Sequence, residues 1–128
     1  MSHITKVRTQ LKDGEVLRKA LKKLCYRVDE KDFISHFRDV GRLESLELVA
    51  RKGRHRIGFR RSDPGDGSYE MLADWGSLKD RREEIINPIL QTYSQEKILD
   101  LARRKGYAVI KNKANRNGQI EIIIRKVA

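Results

Sequence analysis

Apolar and polar positions change period several times along the chain, and each change marks an element. Residues 4–11, from Ile4 to Leu11, are rich in β-branched side chains of mixed polarity and predict a strand. Asp13 then offers an N-cap, with Glu15 in the first turn. Val16, Leu17, Ala20, Leu21 and Leu24 follow at helical spacing, with Arg18, Lys19, Lys22 and Lys23 on the opposite face. That spacing predicts an amphipathic helix over 14–25. Tyr26-Arg27-Val28 opens a second strand, and residues 29–43, with Phe33, Ile34, Phe37 and Val40, read as a helical turn or a covered loop.

Alternation then takes over. Leu46, Leu48 and Ala50 alternate with Glu47 and Arg51, Lys52-Gly53 breaks the run, and Ile57 and Phe59 alternate with Arg56, Gly58 and Arg60. This predicts an antiparallel hairpin. Asp63-Pro64-Gly65-Asp66-Gly67 has turn chemistry, and Tyr69, Met71, Ala73 and Trp75 form a third alternating strand. Residues 45–75 therefore predict a three-stranded meander. After a charged connector, Asn87-Pro88 marks a helix start, the helix runs to about Lys105, and Gly106 fits its C′ position. Tyr107 to Lys113 predicts a strand, Asn117-Gly118 a type I′ turn, and Ile120, Ile122 and Ile124 a last strand.

The run Leu17-x-x-x-Leu21-x-x-x-Cys25-Tyr26-x-Val28 is echoed by Ile98-x-x-x-Ala102-x-x-x-Gly106-Tyr107-x-Val109. Two β-α-β-β units in one antiparallel sheet fit this echo; convergence on a common helix-to-strand exit fits it equally. Amphipathic helices bury one stripe and half-buried strands one face. The expected fold is α+β: a mainly antiparallel sheet with two principal helices on one face, the other face exposed or used for binding.

Composition adds size and charge. The 128 residues suit one domain, 1–128. Charged residues make up 37% of the chain, well above the usual quarter. They divide into 29 Lys+Arg and 18 Asp+Glu, a formal charge of +11. Such a field favours nucleic acid, an acidic protein or a lipid head-group surface. A lone cysteine, Cys25, excludes an internal disulfide. Met1-Ser2-His3-Ile4 carries no apolar signal region and no stretch approaches the roughly 18 apolar residues of a membrane span. A cytosolic or equivalent organellar location is expected.

The strongest candidate site is the basic hairpin Arg51-Lys52-Gly53-Arg54-His55-Arg56-Ile57-Gly58-Phe59-Arg60-Arg61. With Ile57 and Phe59 in the core, alternation puts Arg54, Arg56 and Arg60 on the outer face, beside Arg51 and Lys52. Gly58 would leave a gap there for close backbone approach. Rows of guanidinium groups suit phosphate, since each binds two oxygens at once. Charges on an edge hairpin also block strand-to-strand association, which accounts for several of them without a ligand. A second basic set is Arg103, Arg104 and Lys105 with Lys111, Lys113 and Arg116; compensation of the helix dipole explains the first three.

Catalytic and metal chemistry find little footing. His3, His36 and His55 lie far apart without paired spacing. Cys25 ends a helix, the wrong end for a dipole-stabilised thiolate, and reads as a small buried apolar residue. Asp74 beside Trp75 is the one carboxylate inside an apolar run. No phosphate loop, nucleophile elbow or dinucleotide fingerprint is present, so no catalytic residue, cofactor or metal is assigned.

Several motifs together resemble one family. They are Met1-Ser2-His3, Thr9-x-Leu11, Leu24-Cys25-Tyr26, Ile57-Gly58-Phe59, Tyr69-Glu70-Met71-Leu72-Ala73-Asp74-Trp75, and Gln91-Thr92-Tyr93 leading to Lys97-Ile98. In this order, over nearly the whole chain, they resemble the hypothetical chloroplast reading frame thirty-five family of cyanobacteria, algal plastids and other bacteria. The resemblance brings no activity. It implies an accessory role beside another protein, an AAA-type ATPase being the candidate, and a plastid stromal location in algal relatives. Cys25 stands where a glycine is common, and Gln95-Glu96 stand where a Tyr-His pair is frequent, so no role of that histidine is carried over. The basic balance also departs from the family pattern, and the charge argument applies to this chain.

Overall fold

The computed structural model describes residues 5–30, 46–53, 55–62, 65–73, 82–114 and 119–126. Nine elements follow one another among them: β1 (Thr5–Arg8), α1 (Gly14–Lys23), β2 (Arg27–Glu30), β3 (Leu48–Lys52), β4 (His55–Arg61), β5 (Tyr69–Ala73), α2 (Arg82–Arg104), β6 (Tyr107–Ala114) and β7 (Ile120–Lys126). The fold class is α+β, as the layers required.

Five strands form one antiparallel sheet in the order β1-β5-β4-β3-β2. The meander β3-β4-β5 is its centre, and the first two strands close its two edges. Leu48, Ala50, Ile57, Phe59, Tyr69, Met71 and Ala73 point to one face and meet Val16, Leu17, Ala20 and Leu21 of α1 and Ile85, Ile86, Ile89 and Tyr93 of α2 in one core. Both helices therefore cover the same face. β6 and β7 do not join this sheet; they pair with each other as a separate hairpin packed on α2. Two β-α-β-β units in a single sheet are thereby excluded.

Caps hold α1 at both ends. Asp13 Oδ1 accepts the N–H groups of Glu15 and Val16 at 3.1 and 3.2 Å, satisfying two of the donors a helix start leaves open. At the C-terminus, Tyr26 N–H donates to Leu21 O (2.9 Å) and Cys25 N–H to Lys22 O (3.0 Å), the paired bonds of a Schellman motif. Cys25 is the C′ residue of that motif, with φ 68°. Its side chain is exposed, not buried in the core, because the C′ position lies beyond the helix. Gly106 holds the same position after α2, with φ 74°. The echo between the two segments is thus a shared helix exit.

The second helix starts earlier than its capping signal. Asn87 and Pro88 lie inside α2, which begins at Arg82. Proline is tolerated there at the loss of one helix hydrogen bond. Ile85 and Ile86, one turn before Ile89, are buried in the same core. Their burial extends the helix back past the proline, a packing gain that local capping does not encode. Of residues 29–43, Asp29 and Glu30 belong to β2, whereas 31–43, the Asn117-Gly118 turn, and Asp74 and Trp75 lie outside the described residues.

Candidate functional site

The face of the sheet opposite the helices carries most of the charged residues of its five strands. Strand register sorts its side chains into three rows running across the strands. In the first row Arg8 pairs with Glu70 and Glu70 with Arg60. In the middle row Lys6, Leu72, Gly58, Val49 and Asp29 are successive partners. In the third Arg56 pairs with Arg51 and Arg51 with Arg27.

Each row has its own electrostatics. Glu70, with 6% of its side chain exposed, is surrounded by Arg60 Nε at 3.3 Å, Lys6 Nζ at 3.5 Å and Arg8 Nε at 3.9 Å. Three cations thus share one carboxylate. In the middle row Val49 and Leu72 are buried, as is Gly58 between them. The gap expected at Gly58 is therefore closed, and the centre of this face is not open to solvent. In the third row three arginines stand side by side on neighbouring strands. Asp29, diagonal to the row, lies 2.8 Å from Arg51 Nε. Like charges directly opposite one another on paired strands destabilise a sheet. Over the three rows six cations face two carboxylates, a net charge of +4.

The residues singled out from the sequence separate on this geometry. Arg51, Arg56 and Arg60 share the face, with Arg56 exposed and Arg60 half-buried against Glu70. Lys52 falls on the opposite face, in register with His55, and its Nζ lies 5.4 Å from the Tyr26 ring centroid. Arg54 lies outside the described residues. Arg27, Lys6 and Arg8 belong to the face but were not foreseen. Lys6 and Arg8 alternate with Val7, a readable signal; no local feature of Arg27 announces the pairing of β2 with β3.

A second polar cluster closes the end of the core near the start of α1. The Tyr69 hydroxyl donates to Glu47, whose carboxylate also meets Arg61 at 3.3 Å and Arg18 at 3.8 Å. Arg61 stacks 4.1 Å from the Tyr69 ring centroid and donates to the carbonyls of Lys12 (2.5 Å) and Gly67 (2.9 Å). Burial, and then the bond to Glu47, push the Tyr69 hydroxyl well above the usual phenol range. A Cβ at Gly14 would stand 2.6 Å from Tyr69 Oη, so glycine is required there. Every member of this cluster has a protein partner and ties turns to the core, which is a structural role.

Among the described residues no group of three or more His, Cys, Asp or Glu could hold a metal ion, and no helix is long and apolar enough to cross a membrane. His55 bonds the Tyr26 hydroxyl at 2.9 Å. His3, His36 and Asp74 lie outside the described residues.

These features define an α+β protein with helices on one sheet face and aligned cations on the other. The chain belongs to a family of proteins of unknown function, DUF1257, whose model matches residues 20–123. It is 25% identical over 130 residues to the uncharacterized protein ycf35 of Cyanophora paradoxa, with 98% of each chain covered. The uncharacterized protein ycf35 of Guillardia theta is 24% identical over 129 residues, again with 98% of each covered. The family indicated by the sequence motifs is thus the family found. No solved structure matches the chain.

Proposed function

We propose that this protein is a binding module for an anionic polymer, nucleic acid backbone in particular, acting through the cationic sheet face in the cytosol or, in algal relatives, the plastid stroma. The observation that carries this reading is the row Arg56, Arg51, Arg27. Three arginines in register on adjacent strands of one face can offer a phosphate paired hydrogen bonds beside the contacts they already make. Arg60, Lys6 and Arg8 supply further excess charge around Glu70. Contacts of this kind give affinity without sequence choice.

The test is fluorescence anisotropy with labelled duplex DNA, single-stranded DNA and RNA across a salt series, comparing the parent with Arg27→Gln/Arg56→Gln. Arg51 is kept, so Asp29 retains its partner. Binding whose log–log salt slope on duplex DNA falls by about two units in the variant is expected. An unchanged slope, or no binding near physiological salt, overturns the reading and leaves the protein-partner alternative, an accessory domain serving an ATPase or another protein.

A further inference from the structure

Among the described residues β7 pairs with β6 alone, so the other side of its backbone carries a row of N–H and C=O groups with no strand beside it. Four of its seven residues are isoleucines. Ile120, Ile122 and Ile124 are turned to α2 and line a cleft of about 340 Å³ with Ser94, Gln95 and Ile98. Ile123 lies on the opposite face with Glu121 and Arg125. Ile123 and Ile124 are 44% and 41% exposed.

The other free strand edges are protected. β1 and β2 are only four residues long. β6 carries Lys111 and Lys113, and its register is broken at Ile110, between Val109 and Lys111. Short strands, bulges and lysines keep an edge from pairing with another chain. β7 is longer, unbroken and rich in isoleucine, the composition that invites a further strand.

The charges of β7 select that strand. Laid antiparallel against a second copy in full overlap, Ile120–Lys126 is centred on Ile123. Glu121 then stands opposite the partner's Arg125, and Arg125 opposite the partner's Glu121. Ile122 meets the partner's Ile124, Ile123 meets itself, and Lys126 meets the partner's Ile120. Centring the pair on Ile122 or Ile124 loses both opposite-charge pairs. The longest overlap is therefore also the complementary one. Both charged groups have capacity for it. Lys111 Nζ lies 2.5 Å from Glu121 Oε1, which leaves Oε2. Arg125 faces Ala108 within the hairpin and has no ion pair among the described residues. The net charge of +11 repels a second copy, but exposed charges are screened beyond about 8 Å at physiological salt, and the contacts along the edge are shorter than that.

We propose that two copies of this chain join through β7, antiparallel and centred on Ile123, into a four-stranded sheet in the order β6-β7-β7-β6. The two-fold axis stands perpendicular to that sheet, so both α2 helices lie on one side of it and the assembly closes as a dimer. The arginine row is on a different sheet, and either surface can fail without the other.

The test is sedimentation velocity of the nuclease-treated full chain at about 0.15 M salt, over a concentration series reaching about 1 mM. A monomer–dimer equilibrium is expected, with amides of 120–126 gaining protection from hydrogen exchange as the dimer forms. Arg125→Glu sets carboxylates opposite one another at both ends of the pair and should weaken the dimer about tenfold or more, whereas Arg125→Lys should keep it. Ile123→Lys opposes two ammonium groups on the axis and should weaken it likewise. Both positions are exposed, and circular dichroism checks the fold. Arg27→Gln/Arg56→Gln should dimerise as the parent does. A monomer at the highest concentration, association that nuclease abolishes, a dimer without protection at 120–126, or an Arg125→Glu variant that dimerises as tightly as the parent overturns the proposal.

Discussion

The Tyr93 hydroxyl, on α2, accepts the backbone N–H of Asp13 at 2.9 Å, 80 residues earlier in the chain. It also accepts the Lys12 N–H, at 3.3 Å. These donors sit where the chain enters α1, so one phenol on the second helix fixes the start of the first. Tyr93 belongs to the Gln91-Thr92-Tyr93 motif by which the family is recognised, and this bond gives that motif a structural role. Tyr93→Phe keeps the ring in the core and removes the acceptor. We expect a loss of about 1–3 kcal/mol, the cost of leaving a partly buried N–H without a partner. A urea unfolding curve with an unchanged slope and a lower midpoint would show it. An unaltered midpoint would mean that water replaces the phenol.

Asp13 is also the partner of Lys97, whose Nζ lies 2.9 Å from Asp13 Oδ2. That bond, with the N–H groups of Val16 and Glu15, lowers the Asp13 carboxyl below its usual range; burial opposes the shift. A carboxylate depressed in the folded state binds fewer protons there than when unfolded. Its contribution is present above the unfolded value, about 3.9, and is lost as pH falls through the folded one. Lys97→Met should move the Asp13 titration up toward the ordinary value and move the acid loss of stability to higher pH. Carboxyl carbon shifts followed through the titration are the measurement. An unmoved Asp13 would show that the cap N–H groups suffice.

Cys25 adopts a left-handed backbone with φ 68°, a conformation that costs a side-chain-bearing residue roughly 1–2 kcal/mol. Glycine pays no such penalty, and Gly106 shows the arrangement with φ 74°. Part of the gain is offset because glycine frees the unfolded chain. Cys25→Gly should therefore stabilise the protein by about 1 kcal/mol, raising the melting temperature by roughly 4 °C. A calorimetric scan of the two proteins under reducing conditions decides it, and an unchanged or lower midpoint would show that the thiol makes a compensating contact.

Most elements were legible because their causes are local. The Asp13 cap, the apolar stripe Val16-Leu17-Ala20-Leu21, the break at Gly53 and the left-handed exit at Gly106 act within a turn or two of chain. The start of α2 was not legible, because Ile85 and Ile86 are helical through contacts made across the core, against the local signal at Asn87-Pro88. The cationic face was half legible: alternation placed Arg56 and Arg60 together, while their neighbours came from strands distant in sequence.

What the sequence by itself determined is the set of elements, the caps of α1, the exit of α2 and the alternation along each strand, since periodicity and capping are short-range properties of the chain. Only the tertiary structure decided which faces met. Pairing β2 with β3 set Arg27 beside Arg51, and pairing β1 with β5 gathered Lys6 and Arg8 around Glu70. Leaving β6 and β7 out of the sheet opened the isoleucine cleft on α2. Register between distant strands is chosen by the burial it achieves once the chain has closed on itself, and that choice is not written in any one segment.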